Sequence, residues 1–258
     1  CLAQTGVEDI PQSVAEEIQQ QIEALSAEQE LQALDFEALA ELFNQLREGA
    51  AVYYFKYYIA ETNLSVFGKL IHLDYKSLTG ILVPVWTASN IIGVLMATWL
   101  AKTFGKKNAF SAFMIISLFA SLLYYTVKPG DIYYLLLLQV VVGIAAGLPI
   151  PLMLAMFGDI VDYSEWKTGR RATGLIFSSI SMSQKFGSTL GIALTGYILA
   201  AFGYKAGQAT PESQTGIRLM MSLIPAIAAA LSVIMLYFYR LTDKRMKGIE
   251  EELAEKRK

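Results

Sequence analysis

Long apolar runs alternate with short polar connectors along the chain, and the lengths of the runs decide what they are. Five runs, at approximately 78–101, 109–127, 132–157, 174–202 and 217–239, each hold about the ~20 apolar residues that cross ~30 Å of hydrocarbon. A segment in hydrocarbon must satisfy its own backbone, so these lengths predict helices. Pro84, Pro149, Pro151 and Pro225 fall in or at the ends of the runs, where neighbouring helices replace the missing hydrogen bonds. Gly143, Gly147, Gly187, Gly191 and Gly196 predict close helix approach.

A sixth segment, 36–60, is mixed. Its second half is apolar and aromatic, with Tyr53, Tyr54, Tyr57, Tyr58 and Lys56 suited to a headgroup interface. Its first half carries Glu37, Glu41, Arg47 and Glu48 and makes a poor span. The expectation is a helix whose second half sits in the bilayer, with the place of its first half left open. Residues 61–77 read as a polar connector containing His72 and Asp74.

Residues 1–35 have the pattern of water-soluble helix. Asp9-Ile10-Pro11 is a helix start, with proline in the first turn. Val14, Ile18, Ile22 and Leu25 then form one apolar face opposite Glu16, Glu17 and Glu23. Ser26 and Gln29 fit a capping box, and Asp35 can cap a further helix. The segment reads as a solvated amphipathic loop helix or as a partner-binding one.

Composition agrees with a membrane protein. Hydrophobic residues make up 54% of the 258 and charged residues 17%, against about 25% in soluble domains. Mean hydropathy is +0.42. The net charge of −2 averages two unlike regions, since residues 1–48 hold eleven acids and one base. A single cysteine, Cys1, excludes a disulfide within the chain, and a lone histidine makes no metal site by itself. A chain opening on Cys1 is either a fragment or processed product, or a lipid-modified lipoprotein. No nucleophile–base pair, phosphate loop, metal spacing or nucleic-acid motif is present, so neither an enzyme, a bound cofactor nor a nucleic-acid partner is expected.

Lysine and arginine set the orientation. The connectors 102–108 and 158–173 and the tail from Arg240 are the basic ones, and alternation of the five runs puts them on one side. That side is expected to be cytoplasmic, with the C-terminus there.

Two stretches carry chemistry. Asp159, Asp162 and Glu165 precede Lys167, Arg170 and Arg171, and the pairs they form can latch the cytoplasmic side of a carrier or can be a plain solvated connector. Lys185 lies eleven residues into its apolar run, about 16 Å along the axis. A cation there costs at least ~2.5 kcal/mol, so it predicts a cavity, a carboxylate partner or a substrate. Gln184, Ser181 and Ser178 make the same stretch polar. Asn90 and Gln139 are single amides in apolar runs, suited to helix–helix hydrogen bonds or to cavity lining. Tyr53, Tyr57, Trp86 and Trp166 are further candidates for lining, and Trp86 offers a flat face to a sugar ring or anchors at the interface.

The string from Asp159 through Tyr163, Glu165, Trp166 and Gly169 to Arg171 resembles the signature connector of the glycoside–pentoside–hexuronide:cation symporters, the melibiose-permease-like branch of the major facilitator superfamily. Asn44 to Tyr58 resembles that family's seventh helix, and Lys102 to Lys107 its turn between helices eight and nine. The resemblance covers about residues 44–240. It implies an all-α membrane protein of the cell (inner) membrane, the C-terminal six-helix half of a twelve-helix fold. Residues 36–240 would be helices seven to twelve, 1–35 an enlarged cytoplasmic central loop, and 241–258 a charged cytoplasmic tail. It implies alternating-access symport of a sugar, glycoside or hexuronide with Na⁺ or H⁺, and gives Lys185 a role near sugar and coupling. The cation site and most sugar contacts would belong to an N-terminal half, the chain's partner in the bilayer. Transport of a lysolipid-like amphiphile, or a non-transporting sensor or scaffold, are the alternatives.

Overall fold

The computed structural model describes residues 37–66, 69–169, 171, 173–239 and 241–256. The expected helix at residues 1–35 and the base Arg170 lie outside the described residues.

The first helix, α1, covers residues 37–53 and continues as a π-helical turn, Tyr54–Ile59. Its charged first half is not excluded from the bundle. Glu37, Leu46, Ala50, Tyr54 and Phe55 are all wholly buried. Local hydropathy reads as a poor span there because what buries Glu37 and Arg47 is not adjacent in the chain. Their surroundings come from helices far along it.

Residues 61–77 are not an irregular connector. Thr62–Val66 (β1) and Lys69–Leu73 (β2) pair antiparallel, Thr62 opposite Leu73. Asp74 then caps helix α2, Tyr75–Phe104, and accepts from the Ser77 amide at 3.0 Å. That hydrogen bond holds the Asp74 carboxyl below the usual carboxylate range.

Helix α3 runs Lys106–Tyr124 after a turn at Gly105, whose φ of +83° suits glycine. Helices α4 (Ile132–Gly147) and α5 (Pro149–Thr168) form one long rod broken at Leu148. The break falls where Pro149 and Pro151 withhold their N–H groups. The acids Asp159, Asp162 and Glu165, expected at the end of the preceding span with their spacing of three stacking them on one helix face, are helical. The helix stops only at Gly169, in the left-handed conformation.

Helix α6 spans Thr173–Ala201, and α7 (Pro211–Met221) and α8 (Leu223–Phe238) are one rod interrupted at Ser222. The charged tail is a helix, α9 (Asp243–Lys256), and its Met246, Ile249 and Leu253 are buried. Among the described residues four stretches are long and apolar enough to cross a membrane: Tyr75–Phe104, Lys106–Tyr124, Ile132–Thr168 and Pro211–Phe238. Helix α6 has the length but not the composition, because its middle is polar from Ser178 to Lys185.

Glycines set which helices touch. A Cβ at Gly147 would lie 2.1 Å from the Asn90 carbonyl oxygen, and one at Gly93 would lie 2.2 Å from that of Ile144, so α2 and α4 meet backbone to backbone. A Cβ at Gly187 would lie 2.4 Å from the Ala38 carbonyl, and Gly49 faces Thr195 further along. The contacts ascend together in both helices, so α1 and α6 run parallel. Gly196 has nothing within 4 Å and plays no such part.

Candidate functional site

A cavity of about 210 Å³ opens between α1, α2, α4 and the end of α7. Asn44, Arg47, Glu48 and Gln139 give it polar groups, and Phe43 and Trp86 give it aromatic faces. Its remaining wall is apolar, and no serine, threonine or tyrosine lines it among the described residues. The volume is below the roughly 300–1,000 Å³ of a complete small-molecule site.

Arg47 is the cation that this wall is built around. Its guanidinium lies 4.4 Å from the centre of the Tyr124 ring. It donates to the Met221 carbonyl at 2.7 Å and to the Ser121 hydroxyl at 3.3 Å. The Met221 carbonyl needs an outside donor because its helical partner four residues on is Pro225, which has no N–H. Gln139 is fixed at both ends. It accepts from the Tyr124 hydroxyl, and its amide donates to the Leu82 carbonyl at 3.3 Å. It therefore serves both as a helix–helix tie and as cavity lining.

A second cavity, about 130 Å³, shares Phe43, Asn44 and Ala146 with the first and reaches Glu41 and Gln184. Lys185, Ser181 and Ser178 lie on the exposed side of α6. The two serine hydroxyls donate to the carbonyls of Phe177 and Leu175. Among the described residues Lys185 enters no ion pair.

Of the other candidates for lining, Trp86 is in the first cavity and four are elsewhere. Tyr53 and Tyr57 gather round Tyr204, each 5.5 Å from it centre to centre, and the Tyr57 and Tyr204 hydroxyls are 2.9 Å apart. Asn90 sits in the α2–α4 contact. Trp166 donates from its indole to Glu252 on α9 at 2.6 Å.

The charged residues of α5 do not act as one row. Asp159 is buried, and the Lys106 ammonium spans both of its oxygens, 2.6 Å from Oδ1. Asp243 completes the cluster by accepting from the Lys106 backbone amide at 3.0 Å. Asp162 and Glu165 instead face Arg171, at 3.5 and 3.0 Å. The half-buried Lys167 lies 5.3 Å from the Tyr163 ring centre. These contacts bind α5 to the α2–α3 turn and to α9. Successive steps of three residues turn by about −60° on a helix, which separates Asp159 from Glu165.

The model of the family described as MFS/sugar transport protein matches residues 8–243. The chain belongs to that family. Within it, the relatives place the chain with the glycoside–pentoside–hexuronide:cation symporters. The family match begins well before residue 44, where the motif resemblance starts. A glucuronide carrier protein homolog of Escherichia coli is 30% identical over 185 residues, covering 70% of this chain and 40% of that protein. An isoprimeverose transporter of Lactiplantibacillus pentosus is 30% identical over 216 residues, 82% of this chain and 42% of the relative. The chain thus spans less than half the length of these family members. A solved proton:xylose symporter, XylE, bound to 6-bromo-6-deoxy-D-glucose, superposes with a TM-score of 0.60 at 16% identity. It covers 88% of this chain and 49% of that one, and it shows the shared fold. The protein is a multi-pass membrane protein of a sugar-transporter family.

Sequence reasoning passed over Arg47, Lys106, Asp243 and Tyr204. Arg47 and Lys106 stood inside quoted motifs, so a signal existed. Asp243 and Tyr204 carried none, because their partners are distant in the chain.

Proposed function

We propose that the chain forms the C-terminal wall of a carrier that moves a sugar, glycoside or hexuronide together with Na⁺ or H⁺ by alternating access. An N-terminal six-helix half would close the site, and α9 would lie in the cytoplasm. The observation that carries this reading is the cavity of Trp86, Gln139, Asn44 and Glu48 in a member of a sugar-transport family. A flat aromatic face beside a few convergent polar groups suits a sugar ring. Repeat-built carriers bind ligand between their halves near the midplane. Lys185, on the exposed side of α6, is available to the opposite half or to substrate.

The largely apolar remainder of the wall also suits a substrate with an apolar portion. That observation favours a glycoside with an aglycone over a free sugar, and it keeps a lysolipid-like amphiphile as the second reading. Calorimetric titration of the full-length carrier in detergent separates them. The sugar reading expects saturable binding of a glycoside or hexuronide, weakened tenfold or more by Trp86→Ala. Binding of a lysophospholipid with no response to any glycoside would replace it by the second.

A further inference from the structure

Glu37 is an acid in an unusual position. It is wholly buried, and neither carboxyl oxygen has a hydrogen-bond partner among the described residues. Its neighbour Ala38 packs on Gly187, fourteen residues into α6 and so about 21 Å from that helix's start. Glu37 therefore packs beside the middle of α6, at the first described turn of α1.

The groups facing it are few. From α6 comes the Gln184 amide, near enough to act on the carboxyl. From its own helix comes Glu41, one turn on, whose carboxylate accepts from Gln45 at 3.0 Å. Among the described residues no lysine, arginine or histidine pairs with it, and Lys185, next to Gln184, is exposed. A buried ionised carboxylate with no cation beside it is strongly disfavoured, whereas the neutral acid is not.

Glu37 also connects to the substrate cavity. Glu37, Glu41, Asn44 and Glu48 follow one another at steps of four, three and four residues, which is one face of a helix. Glu41, Asn44 and Gln184 line the smaller cavity, and Asn44 and Glu48 line the larger. The Ser117 hydroxyl, buried and unpartnered, faces the smaller cavity too, which is roomy enough to admit water.

We infer that Glu37 is a proton-binding site of the carrier, joined to its substrate cavity by the polar face of α1. It takes a proton when its surroundings open to water on one side, is carried across as the neutral acid, and releases that proton on the other side. This rests on the symport reading. It adds an ionisable site in this half to the cation site that the resemblance assigns to the other half.

The test uses the full-length carrier in weakly buffered proteoliposomes, with a transported glycoside as probe and a pH electrode outside. The wild type should take up protons with the glycoside. Glu37→Gln, the isostere of the neutral acid, should abolish that pH change and cut proton-driven accumulation at least tenfold. Its gradient-free glycoside exchange should stay within about twofold. Glu37→Asp, which keeps a carboxyl, should regain part of the proton movement. Proton uptake by Glu37→Gln equal to that of the wild type would overturn the inference, as would a Glu37→Asp carrier no better coupled than Glu37→Gln. Wild-type accumulation of glycoside on a Na⁺ gradient with no pH change would overturn it and leave symport standing. A wild type that moves no glycoside at all would take down the symport reading itself.

Discussion

The Arg47 guanidinium donates to the Met221 carbonyl across 2.7 Å, filling the place of the N–H that Pro225 lacks. A residue that makes α1 look unfit for a membrane is thus what completes the break between α7 and α8. The Tyr124 ring beneath it supplies the second half of the guanidinium's surroundings.

Arg47→Ala is expected to leave a buried carbonyl unpaired, at a cost of about 1–3 kcal/mol. Arg47→Lys should recover little, because an ammonium cannot bond the carbonyl and lie flat on Tyr124 together. Thermal unfolding of the carrier in detergent should show both variants several degrees below the wild type. A Lys variant as stable as the wild type would argue against the planar role.

Gly147 and Gly196 give a paired comparison. Gly147→Ala drives a methyl into the Asn90 backbone and should cost about 1–3 kcal/mol. Gly196→Ala meets open space and should be neutral or slightly stabilising. Equal melting temperatures for the two variants would contradict the α2–α4 contact.

Lys106 and Asp159 form the buried pair at the α9 end. Lys106→Ala leaves the Asp159 carboxylate, 9% exposed, without its cation and should destabilise by about 3 kcal/mol. Lys106→Met together with Asp159→Asn removes both charges and should be more stable than Lys106→Ala. A cycle of Lys106→Met, Asp159→Asn and their double variant, followed by detergent unfolding, measures the coupling. Additive losses would mean that the two charges act independently.

Much of the helical plan was readable from the chain. Run lengths predicted the rods later seen as α2 to α8, but the interruptions at Leu148 and Ser222 were not expected, since each falls inside one continuous apolar run. The extra order at both ends was harder to see. The helical extent of α5 past its acids depends on Lys106 and on α9, which lie 53 residues before and 84 after Asp159. The burial of Glu37 and Arg47 depends on α6, α3 and α7, so local hydropathy pointed the wrong way. Within the cavity, Trp86 and Gln139 were accessible to reasoning because each is a single unusual residue in an apolar run. Tyr53 and Tyr57 were not separable from lining residues, since only the fold brings Tyr204 between them.

Lys185 should matter to coupling and not to insertion. Lys185→Ala is expected to reach the membrane at wild-type levels and to lose accumulation against a gradient by at least tenfold. Quantified membrane protein and labelled-sugar uptake check both parts. Full accumulation in the variant would remove Lys185 from the mechanism.

The most direct test of the account is uptake of labelled glycosides, pentosides and hexuronides by vesicles holding the full-length carrier, with and without an imposed Na⁺ or H⁺ gradient. The account predicts that at least one of these substrates accumulates above its outside concentration only while a gradient is present. Equilibration of all of them at the same rate as in empty vesicles, under either gradient, would contradict it.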